Sequence, residues 1–260
     1  MPVDNALYDA PGDIWWDETR PLNALRTAIN PGRMDYVRRV LQQHGWSAEG
    51  RTALDVGCGG GIMAEEVAAL GFRVTGVDPS ESSLATARRH AAAGGLDITY
   101  ARAPGESLPY PDESFDLVYC CDVLEHVEDV DRVVAEAARV LKPAGIYLYD
   151  TINRTAVSRL VMIKLFQEWR ATAFMPAHLH DWSQFIKPDE LDASLSRARL
   201  RQVDSIGLKP SANPIRLISL LREVKRGRIT PAEMGRLSPM AISRDRSVLY
   251  AGHAMKTTRP

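Results

Sequence analysis

Apolar residues recur along the chain with two different spacings, which predict strands that alternate with helices. Short runs rich in valine, isoleucine and aromatic residues predict buried strands. Such runs occur at 54–56, 72–77, 96–101, 115–120, 146–149, 199–206 and 247–255. Helically spaced apolar residues predict helices between them, at 62–70, 80–93 and 130–141. Because strands that alternate with helices pair in parallel, we predict an α/β fold with a Rossmann-like, doubly wound, seven-stranded sheet whose last strand is antiparallel.

Two longer segments interrupt this alternation, at about 153–187 and about 210–244. Both fall where the chain would cover the carboxyl ends of the strands, so we predict two helical caps over a binding site. In the first cap, the pattern at 155–174 predicts an amphipathic helix that forms a lid or a peripheral membrane contact. The second is rich in arginine, which indicates a solvated cap or recognition of an anionic substrate. With an N-terminal helical segment at 13–45, residues 1–260 are expected to form one domain.

Composition limits the classes of protein that fit the chain. Of its 260 residues, 45% are hydrophobic and 25% are charged, which suits one globular enzyme domain. The formal net charge of -1 offers no general attraction to nucleic acid, so no nucleic-acid partner is expected. Cys58, Cys120 and Cys121 have neither disulfide nor zinc-site spacing, which indicates a reducing compartment. Residues 1–13 lack the features of a signal peptide. We expect a cytoplasmic protein, and the sequence leaves its oligomeric state open.

A glycine-rich loop after the first predicted strand indicates a nucleoside site. Asp55 lies in that strand, and glycines follow at positions 57 and 59–61. Glycines allow a sharp turn and bring backbone amides close to a ligand at the N-terminus of the next helix. The second strand ends at Asp78, whose carboxylate is placed to accept hydrogen bonds from a ribose diol.

The spacing of these glycines argues against a dinucleotide. A dinucleotide-binding loop carries G-x-G-x-x-G, but isoleucine occupies the third glycine position here, and the pattern is G-x-G-G-G. This pattern resembles motif I of the S-adenosylmethionine-dependent methyltransferases. The resemblance implies that Gly57 and Gly59 approach the cofactor and that Asp55 lies near its ammonium group. Asp78 and Pro79 are then cofactor-binding residues as well. A glycine turn in another nucleotide-binding α/β protein is the alternative.

A second stretch similar to that superfamily lies between the third and fourth strands. Residues 103–110 resemble a D-A-x-x-L-P-F motif, whose aspartate receives the adenine amino group. Pro104 stands at that position here. We therefore expect adenine to bond to the backbone near Gly105 or to the Glu106 side chain.

Further motifs make the family resemblance more specific. They are W-W-D at 15–17, N-P-x-R-x-x-Y at 30–36, L-E-H-V at 124–127, D-T-x-N-R at 150–154 and H-D-W-S-x-F-I-K-P at 180–188. Together with the glycine loop, they resemble the O-methyltransferases of ubiquinone biosynthesis. The resemblance extends from residue 13 to about residue 191 and resumes weakly near residue 247. It implies methyl transfer from S-adenosylmethionine to an oxygen of a small hydroxylated, aromatic acceptor of the catechol or quinol type.

The resemblance also implies cofactor contacts for Arg33 and Cys121, beside Gly57 and Asp78. A guanidinium group can hold the carboxylate of the cofactor in a bidentate fork. The alternative role for Arg33 is a salt bridge that fastens the N-terminal helix to the core. Cys121 replaces the methionine that is usual in the family.

Four residues of these motifs form a candidate set of metal ligands, namely Asp122, Glu125, His126 and His180. A related arrangement binds a divalent cation in methyltransferases that modify RNA ends, and Mg²⁺, Mn²⁺ or Zn²⁺ are the candidates here. If Asp122 begins a helix, Glu125 lies on the same face. In the metal-free alternative, Glu125 caps a helix and His126 or His180 is the general base. The catalytic candidates are therefore Glu125, His126 and His180.

Two other functions fit the same motifs. A C- or N-methyltransferase of another small natural product would keep every cofactor motif and need no metal. A non-enzymatic scaffold that binds only the cofactor would leave the acidic and histidine residues without a purpose. His178 and His180 form an H-x-H pair, of which only His180 belongs to the family motif. We therefore expect a functional role for His180 and not for His178.

Overall fold

One eight-stranded sheet runs through the computed structural model, which describes Tyr8 and residues 13–257. The strands are β1 (Thr52–Val56), β2 (Arg73–Asp78), β3 (Thr99–Arg102), β4 (Phe115–Cys121), β5 (Leu141–Ile152), β6 (Leu200–Pro210), β7 (Met240–Ser243) and β8 (Leu249–Lys256). Their order across the sheet is β3-β2-β1-β4-β5-β8-β6-β7. Residues 1–7 and 9–12, to which the signal-peptide prediction applies, lie outside the described part of the chain.

Helices accompany the sheet on both faces. The α-helices are α1 (Asn30–Gln43), α2 (Ile62–Ala68), α3 (Glu81–Ala93), α4 (Val130–Val140), α5 (Ala156–Ser158), α6 (Pro188–Arg197), α7 (Pro214–Lys225) and α8 (Pro231–Leu237). Leu25–Ile29 and Arg159–Glu168 are π-helical, and Leu124–His126 and Trp182–Gln184 form 3₁₀ turns. The helices predicted after the first, second and fourth strands are confirmed, apart from small differences at their ends.

The first five strands are parallel, which confirms the doubly wound arrangement. β1 lies between β2 and β4, so that Asp55 stands opposite Gly76 on one side and Tyr119 on the other. β3 and β5 extend the sheet beyond them. The chain direction switches from one half of the sheet to the other beside β1, and ligands bind at the carboxyl ends of the strands at such a point. The loops after β1, β2 and β4 therefore frame the expected site.

Apolar side chains fill both faces of this sheet. On β4, Leu117 and Tyr119 pack into the layer that also holds residues of α1, α2 and α3. Their neighbours Val118 and Cys120 pack into the layer that holds residues of α4 and α6. Successive residues of one strand thus point to opposite layers, and burial on both faces explains the nearly continuous apolar runs of the central strands.

The other end of the sheet is antiparallel and holds one strand more than predicted. β8 is antiparallel to both β5 and β6, as expected of the last strand. β7 adds an eighth strand along β6, within the second cap. The backbone of β7 also packs against α1, where a Cβ on Gly32 would lie 2.7 Å from the Met240 carbonyl oxygen. The sequence did not predict β7 because this short strand is set by tertiary packing rather than by its own apolar pattern.

Residues 142–145, a proline- and glycine-containing segment between the predicted helix at 130–141 and the predicted strand at 146–149, belong to β5. Leu141 pairs with Phe115 and Ile146 pairs with Leu117, so the register shifts across this segment. The proline and glycine of the segment therefore produce a bulge inside a longer strand rather than a separate turn.

The first cap is shorter and less regular than the helix predicted at 155–174. α5 leads directly into the π-helix, which ends at Glu168. The chain then turns, and Phe174 packs edge-on against Phe166 with ring centroids 5.2 Å apart. Large apolar side chains that stay about half exposed on this cap are Val157, Leu160 and Trp169. Membrane contact through this surface stays a prediction. Among the described residues, no helix has the length and apolar character to cross a membrane.

Candidate active site

Backbone hydrogen bonds to β2 hold the glycine loop in shape. The amide nitrogens of Gly57 and Cys58 both donate to the Val77 carbonyl oxygen, at 2.8 and 2.9 Å. Gly57, Gly59 and Gly61 have φ angles of 75°, 50° and 82°, which favour glycine over any residue with a Cβ. The loop then enters α2, so the predicted strand, glycine turn and helix are confirmed.

Asp78, the last residue of β2, connects the loops around the site. One carboxylate oxygen accepts a hydrogen bond from the Gly59 amide at 2.9 Å, and the other accepts one from the Ser80 amide at 2.9 Å. Asp78 thus supports the loop, and its contact with ribose stays a prediction.

A cavity of about 990 Å³ begins at the glycine loop and extends between the two caps. It is lined by all but one of the predicted cofactor-binding residues, namely Arg33, Asp55, Gly57, Asp78, Pro79, Gly105, Glu106 and Cys121. The exception is Gly59, against which the ring of Trp15 lies. A cavity of this size accommodates a small-molecule ligand together with a second reactant.

Asp55 is suited to bind a cationic group. Its side chain is buried, and Oδ2 has no hydrogen-bond partner among the described residues. Burial raises the pKa of this carboxyl group to about 8. A buried carboxylate is costly unless a cation or a hydrogen-bond donor pairs with it. An ammonium group supplies both, so Asp55 fits the amino-acid end of S-adenosylmethionine.

The guanidinium group of Arg33 is buried between two carboxylates. Its Nε and Nη2 donate to Asp150 at 2.5 and 3.0 Å, and Nη2 also donates to Asp122 at 2.5 Å. Burial lowers its pKa, but Asp122 and Asp150 outweigh that effect and raise it well above the ordinary value. These ion pairs fasten α1 to β5, which is the role that the sequence left as the alternative. Arg33 also lines the cavity, so contact with the cofactor stays a prediction.

The four predicted metal ligands do not form a metal site. Asp122 has a φ of 54° and precedes a 3₁₀ turn, so it does not begin the helix that was predicted, and its carboxylate is paired with Arg33. Glu125 is buried and accepts a hydrogen bond from Thr151 Oγ1 at 2.7 Å. Burial, and then the charge of Asp122, raise the pKa of Glu125 to about 8. In the described part of the chain, no three His, Cys, Asp or Glu side chains are grouped to hold a metal ion. The geometry does not support the metal prediction.

His126 and His180, the histidine pair, lie side by side in the cavity. Their ring centroids are 5.2 Å apart and their planes are tilted by 46°. Burial lowers the pKa of His126 to about 4, and burial with the neighbouring His126 lowers the pKa of His180 to about 3. Both imidazoles are therefore neutral near pH 7 and able to accept a proton. Nδ1 of His180 has no hydrogen-bond partner among the described residues. His178 is exposed and is not part of the cavity wall.

An aromatic strap, formed by Tyr8, Trp15 and Trp16, covers the glycine loop, and the sequence alone did not reveal this role. A Cβ on Gly60 would come within 2.3 Å of the Trp15 ring. Trp15 Nε1 donates to Ser83 Oγ at 3.1 Å, and Trp16 Nε1 donates to the Gly60 carbonyl oxygen at 2.8 Å. The adjacent tryptophans in an otherwise polar segment were the available signal, because such large apolar side chains need a surface to cover.

The far part of the cavity has apolar walls from both caps. They include Val161, Leu165, Phe166, Leu217 and Leu221. Phe166 and Phe174 of the first cap pack with Leu221 and Met234 of the second. The two caps therefore contact each other and form one roof over the cavity. This contact joins segments that are far apart in the chain, so neither segment's pattern predicts it.

Comparison with known proteins identifies the family of this chain. The methyltransferase domain family matches residues 54–149, which include the glycine loop, Asp78 and the L-E-H-V motif. The ubiquinone biosynthesis O-methyltransferase of Alkalilimnicola ehrlichii is 42% identical over 191 residues, which cover 72% of this chain and 73% of the relative. The enzyme of the same name from Caulobacter vibrioides is 39% identical over 203 residues, covering 75% and 79%.

Solved structures show the same fold. An S-adenosylmethionine-dependent methyltransferase from Thermotoga maritima, a possible histamine N-methyltransferase, superposes with a TM-score of 0.60 at 18% identity and covers 94% of this chain and 93% of its own. A methyltransferase of the same cofactor class from Aquifex aeolicus gives a TM-score of 0.57 at 14% identity, covering 90% and 93%. At such low identity these two structures show the fold alone. The curated relatives show the family: this chain belongs to the ubiquinone biosynthesis O-methyltransferases and is an S-adenosylmethionine-dependent methyltransferase.

Proposed function

We propose that this enzyme methylates an oxygen of a small hydroxylated aromatic acceptor, of the catechol or quinol type, that carries an apolar substituent. One observation carries the proposal: a single cavity joins the glycine loop, the histidine pair and the apolar roof. The first part fits the cofactor, the second can remove a proton, and the third suits an apolar group. The names of the curated relatives, which refer to ubiquinone biosynthesis, support the same class of acceptor.

The cofactor would be held at its two ends by residues of the first two strands. Asp55 would pair with the ammonium group, and Asp78 would accept hydrogen bonds from the ribose hydroxyls. The bound cofactor supplies an activated methyl group on a positively charged sulfur. The protein then has to orient the acceptor oxygen in line with that methyl group, exclude water and remove the hydroxyl proton.

The histidine pair is the best candidate for proton removal. A phenol has a pKa of about 10, so little phenolate is present at neutral pH. The bound cofactor would supply the methyl group to the acceptor oxygen, and its sulfur would keep the electron pair of the broken carbon–sulfur bond. The hydroxyl proton moves to an imidazole nitrogen, for which Nδ1 of His180 is available. Positive charge is thus transferred from sulfur to imidazole rather than created in the buried cavity, which limits the cost of protonating a buried histidine.

Glu125 and Asp122 do not act as the base in this proposal. With its pKa raised to about 8, Glu125 holds its proton near pH 7 and is not a base there. Asp122 is neutralised by Arg33. The two carboxyl groups therefore shape the cavity wall and leave the proton to the histidine pair.

The acceptor and the base can be tested together. We expect wild-type enzyme to methylate an alkyl-substituted catechol at oxygen, with a higher kcat/KM than for unsubstituted catechol. The His180→Ala variant should lose about 10²- to 10⁴-fold in turnover, as is typical when a general base is removed. His178→Asn is the matched control, because that exposed histidine has a φ of 65°, which asparagine tolerates. Product mass and NMR would identify the methylated atom.

Two results would contradict the proposal. Methylation at carbon or nitrogen would replace the acceptor assignment by the alternative chemistry. If His180→Ala keeps near-wild-type turnover, the assignment of His180 as the base is wrong, and His126 becomes the better candidate.

A further inference from the structure

Tyr8 lies at the boundary between the cofactor part and the acceptor part of the cavity. Its backbone carbonyl oxygen accepts hydrogen bonds from Ser80 Oγ at 2.8 Å and from Ser83 Oγ at 2.9 Å. Both serines lie at the start of α3, directly after the loop that holds Asp78. The position of Tyr8 is therefore fixed by two hydrogen bonds to the rim of the cofactor site.

The ring of Tyr8 reaches from this rim to the histidine pair. It stacks on Trp15 at a centroid distance of 5.7 Å and an interplanar angle of 16°. It meets His126 edge to face, at 5.9 Å and 89°. Trp15 covers one face of the ring, and Tyr8 contributes to the cavity wall.

Several carboxyl groups surround the phenol of Tyr8. Burial raises its pKa, and the charges of Glu125, Asp122 and Asp78 raise it further. The phenol thus stays protonated at neutral pH and does not act as a base. What Tyr8 offers to a ligand is an aromatic ring in a desolvated wall, near the carboxylate of Asp78. Both features attract a cation.

The positively charged sulfur of the cofactor would lie near Tyr8 if the cofactor binds as proposed. Sulfur joins the amino-acid arm of S-adenosylmethionine to its ribose, so it lies between the groups held by Asp55 and Asp78. Its methyl group has to face the histidine pair. Of the residues described, Tyr8 is close both to Asp78 and to His126.

We propose that Tyr8 is a positioning residue, whose ring binds the positively charged sulfonium and holds its methyl group towards His126 and His180. This inference rests on the proposed function, because it assumes that cofactor orientation. A cation over an aromatic ring is stabilised by the ring quadrupole, and a neutral sulfur is not. Tyr8 should therefore favour S-adenosylmethionine over the product S-adenosylhomocysteine, whose sulfur carries no charge.

Calorimetric titration of both ligands separates this role from simple packing. In Tyr8→Leu, we expect the affinity for S-adenosylmethionine, relative to S-adenosylhomocysteine, to fall by about 3- to 30-fold, the range typical of desolvated cation–π contacts. Tyr8→Phe keeps the ring and should keep the wild-type ratio. Trp169→Leu removes an exposed aromatic side chain outside the cavity wall and is the matched control.

A second substitution keeps the test decisive if Tyr8→Leu does not fold. Replacement of Tyr8 by 4-cyanophenylalanine preserves ring shape but withdraws electrons, and it should lower the same ratio. Equal losses of affinity for both ligands, or an unchanged ratio in both variants, would show that Tyr8 only fills space. If Tyr8→Leu lowers the ratio as expected but the wild-type protein methylates no hydroxylated aromatic, the proposed acceptor fails and the role of Tyr8 stands.

Discussion

At the scale of single residues, the proposed contact between Asp55 and the cofactor ammonium predicts how cofactor binding depends on pH. In the free protein its pKa is about 8, compared with an ordinary value of about 3.9. An ammonium group binds the ionised carboxylate, so binding requires the proton to leave. The fraction of ionised Asp55 rises with pH up to about 8, and affinity should rise with it.

We expect the affinity for S-adenosylhomocysteine to increase about tenfold or more between about pH 6 and 7.5, a range in which an amino-acid ammonium stays largely charged. Asp55→Asn should bind more weakly and show little of this pH dependence. Asp189→Asn, which changes an exposed carboxylate, is the control and should follow the wild type. An equal pH dependence in Asp55→Asn would remove Asp55 from the ligand contact.

At the scale of elements, the glycine loop is adapted to the aromatic strap as well as to a ligand. Gly57 and Gly61 have left-handed φ angles, but Gly60 does not. An alanine at position 60 would therefore suit the backbone and clash only with the side chain of Trp15. The Gly60→Ala substitution therefore tests side-chain packing without straining the backbone.

Gly60→Ala should lower the free energy of unfolding by about 1–3 kcal/mol, the usual cost of overpacking a tight contact. In a Trp15→Gly background the same substitution should cost much less, because the ring of Trp15 and its Cβ, which would lie 2.5 Å from the added methyl carbon, are both gone. Chemical denaturation of the two single variants and the double variant gives the interaction energy directly. Additive losses would mean that the strap does not rest on the loop.

Local motifs predicted the cofactor half of the site, whereas the acceptor half depends on distant contacts. The glycine loop and Asp78 were predictable because one strand, one turn and one helix specify them. The sequence placed Asp122 and Glu125 on one face of a helix. Asp122 has a left-handed φ, which no local sequence pattern indicates, so no helix begins there. The roof and the contact between Tyr8 and His126 join residues far apart in the chain, and no periodicity reports such pairs.

At the scale of the whole molecule, buried ionisable groups give stability two opposite pH dependences. His253 of β8 hydrogen-bonds Tyr36 of α1 at 2.9 Å and His44 at 3.0 Å, and burial lowers its pKa to about 4. Its folded form binds fewer protons than the unfolded chain, so its stabilising contribution is lost as pH falls from about 6.5 towards 4. The histidine pair acts in the same direction.

Asp55 and Glu125 act in the opposite direction. Their pKa values are raised to about 8, so the folded protein binds more protons than the unfolded chain and their contribution is lost as pH rises to 8. Burial likewise raises the pKa values of Asp150 and Glu66, which therefore act in the same direction. Because the histidines no longer change protonation well above about pH 6.5, the cofactor-free protein should lose stability between about pH 6.5 and pH 8.

Chemical denaturation at about pH 5, 6.5 and 8 tests this expectation. His253→Gln should lose less stability than wild type between the lower two values, because it removes one proton-binding group and keeps an amide at the same place. His178→Asn, at an exposed histidine, is the control and should follow the wild-type curve. A His253→Gln curve parallel to wild type on the acid side would contradict the assignment.

The second cap is joined to the rest of the molecule through its backbone. β7 pairs with β6 along residues 240–243, and Gly235 of α8 lies against the backbone of the N-terminal π-helix at Ala28. Backbone hydrogen bonds do not depend on which side chains the segment carries, whereas the cavity walls do. Leu217, which is only partly buried in the cavity wall, can therefore change size while the cap keeps its place, whereas Leu221 is fully buried in the contact between the caps. Related enzymes built on this plan can diverge in the acceptor they prefer, by ordinary point mutation, without first losing the fold.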